Sequence, residues 1–264
     1  MQPNVRTIQG ELEKAIERVV GERVEVLGSG RTDSGVHALY QVAAFSTKST
    51  LSDETLTRAI NAFLPPEIRI WRSREVALDF HPIRDVVRKR YRYLASDSRP
   101  FFPFFRRGTW ILHRRVDVDL MREAAERLLG TFDFSAFQTQ GSPRKTTVRT
   151  VFDVRVERIP LSSAFAFPKA FELGISGAPD VETTRERIDV PELIAFEVEA
   201  NGFLYNMVRA IVGSLTLFGQ RHKGFENPER MTEIIESRDR KLGGPTAPAH
   251  GLYMMNVVYS DDLK

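Results

Sequence analysis

Two hydrophobic rhythms run along this chain, and the points where they change outline its elements. Over residues 7–20, Leu12, Ile16, Val19 and Val20 fall on one side of a 3.6-residue period and charged residues fill the other. That pattern predicts an amphipathic helix. Residues 52–63 predict a second, with Ser52 at the N-cap and Pro65-Pro66 as the stop. Between them, 23–27 and 39–45 are extended and apolar, which predicts a strand, a loop and a strand. Residues 68–72 and 87–94 predict two more strands. In the second of these Tyr91 and Tyr93 share a face, because side chains alternate along a strand. A helix is expected at about 117–129, from Asp117 as N-cap to Gly130 as stop. Strands at 148–159 and 194–200 follow. A long helix is then expected from Asn201 to about 219, and a shorter one from Asn227-Pro228, with proline in its first turn. Leu252–Tyr259 predicts a closing strand. Residues 160–190 mix Pro, Gly and charge and read as an insertion or hairpin. Strands and helices alternate without a regular βα repeat, so the expected class is α+β, in two units joined near 98–103.

Composition narrows the function classes. At 264 residues the chain has ample material for a core, as one large domain or two small ones. Its longest apolar stretch, 210–218, is too short to span a bilayer, and no signal peptide precedes the first helix. A cytoplasmic protein with no membrane partner is therefore expected. With no cysteine, disulfides and thiolate chemistry are excluded. The five histidines, His37, His81, His113, His222 and His250, show no ligand-like spacing, so no metal site is expected. The formal charge is only +3, but Arg84, Arg88, Lys89, Arg90 and Arg92 fall within nine positions, and Arg106-Arg107 and Arg114-Arg115 follow. Interleaved with Tyr91, Tyr93, Phe101, Phe102, Phe104 and Phe105, this cluster suits a nucleic acid with exposed bases. A solvated charged face gives the same pattern.

The densest chemistry lies in Gly28-Ser29-Gly30-Arg31-Thr32-Asp33-Ser34-Gly35-Val36-His37-Ala38. Three glycines within eight residues allow a tight turn and close approach to a ligand. The loop presents one carboxylate, Asp33, and one guanidinium, Arg31. Carboxylates are competent covalent nucleophiles. No Gly-Lys-Ser/Thr follows, so this is not a P-loop. A strand rather than a helix is expected next, so it is not a dinucleotide fingerprint. Asp and Gly are also ordinary turn residues.

The same string closely resembles the active-site motif of the tRNA pseudouridine synthase A (TruA) family. Arg90-Tyr91-Arg92-Tyr93, Gly202-Phe203-Leu204-Tyr205-Asn206-Met207-Val208-Arg209 and Ala249-His250-Gly251-Leu252-Tyr253 resemble further family blocks, and the likeness begins at Gln2-Pro3-Asn4-Val5-Arg6. The resemblance implies the pseudouridine synthase fold: two ferredoxin-like lobes with fused antiparallel sheets and a central basic cleft. The expected lobes are 1–106, carrying the Asp33 loop, and 107–264, whose last strand completes the shared core. It also implies a cofactor-free isomerase that turns uridine into pseudouridine at positions 38–40 of the tRNA anticodon stem-loop, working as a homodimer. A synthase for other RNA positions and a non-catalytic tRNA-binding protein are the alternatives.

Residue by residue, the resemblance makes Asp33 the nucleophile, Tyr91 the ring stacked on the target base, and Arg209 the partner of Asp33. Arg31 would aid base extrusion and touch tRNA, and Leu252 would pack on the base. Phe80, His81 and Arg84 match a tRNA-contacting segment in part, as do Gln138, Ser142 and Arg144 in a second loop. Tyr91 and Tyr93 also fit simple packing, and His37 fits an orienting hydrogen bond better than acid–base work, since a carboxylate nucleophile needs no proton removed. Asn206 stands where many family members have histidine. Family members open with a strand ending in a Tyr-Asp-Gly-Thr…Gly-Trp-Gln segment, which this chain does not show; an upstream start encoding that strand is expected, with loss of the element as the alternative.

Overall fold

The structure, a computed structural model, describes residues 6–99, 103–139, 146–164 and 192–260. Packing groups the chain into two compact units. One gathers Met1–Arg31, Gln41–Val87 and Val257–Lys264; the other gathers Thr32–Tyr40 and Arg88–Asn256.

The first unit is built on two capped helices. In α1 (Ile8–Val20) the Thr7 side chain accepts the Gly10 N–H, and Gly21 ends the helix in the left-handed region at φ 73°. In α2 (Asp53–Phe63) the Ser52 side chain accepts the Thr55 N–H. Their apolar faces meet: Ala15 and Ile16 pack with Leu56, Ile60 and Leu64 around Val26. Three short strands fall in the region of the expected pair: β1 (Leu27–Gly28) and β3 (Ala43–Ala44) in this unit, and β2 (His37–Ala38), which belongs to the second. β1 pairs antiparallel with β3. Residues 68–72, expected as a strand, form no ladder among the described residues. The Asn61 side chain takes the ladder's place, donating to Ile70 O at 2.7 Å and accepting from Ile70 N at 2.8 Å. An amide offers one donor and one acceptor, as a neighbouring strand would.

Long strands dominate the second unit. β4 (Val86–Ser96), β5 (Trp110–Ile111), β6 (Gly130–Asp133), β7 (Val148–Pro160), β8 (Glu192–Ala200) and β9 (Leu252–Tyr259) build one sheet with β2. Its order is β2-β9-β4-β8-β7-β6, with β5 beside β4. The β4–β8, β8–β7 and β7–β6 pairs are antiparallel; β2–β9 and β4–β5 are parallel. Helices α3 (Val118–Glu126), α4 (Met207–Gly219) and α5 (Arg230–Ser237) complete the α+β architecture. The long apolar run of α4 is explained by burial on almost every side.

Three boundaries differ from expectation. Asp117 caps α3 as predicted, but the helix stops at Glu126, and Gly130 at φ 120° opens β6 instead of ending the helix. Asn201 does not cap α4: its side chain accepts the Thr150 N–H, and the helix starts after Asn206. The shorter helix starts at Arg230, a few residues beyond Pro228.

The basic run in β4 is largely neutralised within the sheet. Arg90 donates to Glu199, Asp153 and Glu197 at 2.9–3.0 Å. Arg92 is buried against Glu197 and also donates to the Ser163 and Ala164 carbonyls. Arg88 reaches Glu199 at 3.1 Å and lies over the Phe152 ring. The antiparallel register explains this, since Arg90 stands opposite Glu199 and Arg92 opposite Glu197. Much of the positive charge suggested by the sequence is thus matched internally.

Candidate active site

Asp33 opens a four-residue turn in which its carbonyl accepts the Val36 N–H at 3.1 Å. Gly35 takes the third position at φ 84°, a conformation that disfavours any side chain. The loop rejoins the sheet at once. His37 pairs with Tyr253 in the β2–β9 register, stacks on its ring at 4.8 Å, and has Nε2 3.1 Å from the Arg107 carbonyl. The Tyr253 hydroxyl donates to Gly108 O. These contacts hold the His37 ring in place.

From α4, Arg209 meets this carboxylate. Its Nη1 lies 2.8 Å from Asp33 Oδ2 and 2.7 Å from Asn206 Oδ1, and its Nε donates to Ala247 O at 2.7 Å. The Asp33 side chain is 26% exposed and that of Arg209 17%, so the pair is sheltered yet reachable. Asp33 Oδ1 has no protein hydrogen bond among the described residues. One carboxylate oxygen is therefore anchored and the other is free of hydrogen bonds to the described residues.

The reach of Arg209 depends on how closely α4 lies against residues 243–247. A β-carbon on Gly213 would sit 1.7 Å from Pro245 O, and one on Gly244 would sit 2.6 Å from Gly213. Ser214 Oγ accepts the Gly244 N–H at 2.8 Å, and Arg209 O accepts the Ala247 N–H at 3.0 Å. Two glycines thus let backbone touch backbone, and this contact presents Ala247 O to the guanidinium.

Tyr91 projects from β4 with its ring edge-on to Phe203 at 5.0 Å. It is nearly buried, and burial, with the Asp33 charge adding to it, pushes its phenol far above the ordinary value. Tyr91 therefore stays protonated. Tyr93, on the same face, is fully buried and donates to Pro248 O at 2.8 Å. The structure thus pairs Asp33 with Arg209 and places Tyr91 within range of the Asp33 charge. Leu252 is buried at the start of β9, behind Gly251, where a β-carbon would strike the Tyr93 ring at 2.6 Å.

The remaining candidates are placed differently. Arg31 is exposed and makes no hydrogen bond or ion pair with the described residues. His81 Nδ1 accepts the Ile83 and Arg84 N–H groups and organises its own turn. Arg84 is exposed but paired with Asp85 at 2.7 Å, and Phe80 packs edge-on to Tyr259. Gln138 donates its N–H to Ser135 O. Ser142 and Arg144 lie outside the described residues. Among the described residues no cluster of three or more His, Cys, Asp or Glu forms a metal site, and no helix is long and apolar enough to cross a membrane. The sequence marks Asn206 only as standing where many family members have histidine, and gives neither its bond to Arg209 nor the glycine contact behind it.

Comparison with known proteins gives the family of the chain. A family model described as tRNA pseudouridine synthase matches residues 1–83 and 124–260. Proteins named tRNA pseudouridine synthase A are similar along nearly the whole chain. The one from Acetivibrio thermocellus is 40% identical, and the one from Thermoanaerobacter sp. (strain X514) 37%. Each alignment covers 98% of this chain and 92% of the relative. The Thermotoga maritima protein is 35% identical with the same coverage.

Proposed function

Because the chain belongs to the tRNA pseudouridine synthase family, we propose that it isomerises uridine to pseudouridine in the anticodon stem-loop of tRNA, at positions 38–40. The reaction breaks the N1–C1′ bond, turns the base and joins C5 to C1′, with the C5 proton lost and N1 left carrying one. It has no net redox change, so it demands no cofactor. Asp33 supplies the nucleophile through Oδ1, toward the sugar or the base, while Arg209 holds Oδ2. A charge-assisted hydrogen bond of this kind fixes direction as well as charge. The Tyr91 ring offers a stacking face for the turned base; such stacking is worth about 1–3 kcal/mol. Its phenol stays protonated, held so by burial and by the Asp33 charge. Leu252 closes the apolar side, Arg31 assists extrusion, and Phe80, His81, Arg84, Gln138, Ser142 and Arg144 form the tRNA-contacting segments. The protein works in the cytoplasm as a homodimer.

The 2.8 Å pairing of Asp33 with Arg209 is the observation that carries this reading. A non-catalytic tRNA-binding protein has no use for a carboxylate held in this way. The test is to incubate the purified protein with an unmodified tRNA transcript and map pseudouridine at single-nucleotide resolution. Conversion confined to positions 38–40 is expected. Conversion elsewhere would support a different RNA target, and a folded protein that converts no uridine would overturn the reading.

A further inference from the structure

We propose that Asn206 is a positioning residue for the reaction, its side chain diverted from capping α4 to setting the direction of Arg209 and, through it, of Asp33. The proposal rests on the reading of Asp33 as nucleophile.

Asn206 is the N-cap of α4, and its carbonyl accepts the first helical N–H, from Ala210, at 2.9 Å. Asparagine at this position ordinarily accepts a further N–H of the first turn through its side chain. Here no side-chain cap bond forms. Asn206 Oδ1 instead accepts from Arg209 Nη1 at 2.7 Å, the same nitrogen that donates to Asp33 at 2.8 Å. Its Nδ2 donates to Thr139 Oγ1 at 3.1 Å. Thr139 is in turn tied to the helix entrance, its N–H donating to Tyr205 O at 3.1 Å.

The backbone is specialised as well. Asn206 has φ 61° and ψ 8°, one of three non-glycine residues with positive φ among the described residues. Strain of this kind persists where surrounding structure over-determines it, often at functional sites. An ordinary cap would require extended backbone, which would turn the amide toward the helix and away from Arg209. Three acceptors, Asp33 Oδ2, Asn206 Oδ1 and Ala247 O, surround one guanidinium. Removing one leaves Arg209 free to swing while its bond to Asp33 remains possible.

Asn206→Gly tests this, since glycine keeps the left-handed backbone and removes only the amide. Thermal stability, kcat and KM for tRNA are measured beside the unaltered protein. The expected result is a kcat lower by roughly 10- to 100-fold, the range that misplacement of reacting groups by about 1 Å brings. KM should stay near its original value, and the melting temperature should fall by only a few degrees, roughly what two lost hydrogen bonds bring. Asn206→Asp keeps the acceptor oxygen and should recover most of the lost kcat, and Thr139→Val should lower kcat less than Asn206→Gly does. An Asn206→Gly protein with unchanged kcat would overturn the proposal. So would a kcat loss that only tracks a fall in folded protein, or a loss expressed wholly in KM. If the unaltered protein itself makes no pseudouridine, it is the reading of the function that fails.

Discussion

Replacing Gly213 with alanine should damage catalysis from a position with no part in the chemistry. The new β-carbon would lie 1.7 Å from the Pro245 carbonyl oxygen and 2.8 Å from its carbon. Ordinary carbon–oxygen contact begins at roughly 3.3 Å, so helix and loop must part by about 1.5 Å. Both sides of the clash are backbone, and no side chain can rotate away. Overpacking of this kind costs about 1–3 kcal/mol, and the rigidity of both partners puts this case at the upper end. For a chain of this size about 3 kcal/mol lowers the melting temperature by roughly 6–12 °C. The same separation draws Ala247 O away from Arg209 Nε, now 2.7 Å away, and Ala247 N from Arg209 O. Arg209 then loses a fixed support, and misplacement of about 1 Å costs roughly 100-fold in rate. The assay is single-turnover pseudouridine formation with saturating protein, read beside a thermal melt. A rate within about twofold of the original and an unchanged melting temperature would refute the argument that glycine contact aims Arg209.

Arg209→Ala removes hydrogen bonds to Asp33, Asn206 and Ala247 and should cost about 2–4 kcal/mol in denaturant unfolding. Asp33→Ala should recover about 1–2 kcal/mol of that loss in the double variant, and strict additivity would contradict the pairing. Glu197→Ala leaves Arg90 and Arg92 short of their shared anion and should destabilise by about 3–5 kcal/mol; a loss below about 1 kcal/mol would show the ion network to be incidental. Burial holds the Tyr91 phenol well above its ordinary 10.0 and that of Tyr253 at about 12. The folded values are the raised ones, so their stabilising effect is complete below pH 10.0 and falls as pH climbs beyond it, where the unfolded chain releases protons that the fold retains. Tyr91→Phe should flatten that alkaline decline in urea midpoints, and an unaltered slope would contradict the burial argument.

What the sequence disclosed depended on how local the cause was. The caps at Ser52 and Asp117 are set by neighbouring residues, and the structure has them as expected; β4 forms where its composition predicts, but Tyr91–Ser96 are buried on both faces and do not alternate. The Asp33 loop stood out because its residue types form an unbroken string. The arginines of β4 show the opposite case. Their charge was plain, but Glu197 and Glu199 stand more than a hundred positions away, and only the β4–β8 register pairs them. Residues 68–72 had the composition of a strand, yet their ladder is supplied by the Asn61 side chain, which no periodicity reveals. Asn201 and Asn206 are both good capping residues, five positions apart, and the sequence reading chose the wrong one. Tertiary bonds decide between them: Asn201 holds Thr150 while Asn206 holds Arg209. Gly213 and Gly244 look like ordinary glycines until the loop is seen lying on the helix.

The most direct test of the central claim is Asp33→Asn. The substitution keeps the size of the side chain and lets an amide oxygen still accept from Arg209, but it removes the nucleophilic carboxylate. Purified variant and unaltered protein are compared for tRNA affinity and for pseudouridine formed at positions 38–40 of a tRNA transcript. Affinity should be largely retained, since phosphate contacts dominate RNA binding. Pseudouridine should be absent. A variant that binds tRNA and forms pseudouridine at the original rate would contradict the account, because the reaction would then run without the carboxylate that Arg209 holds.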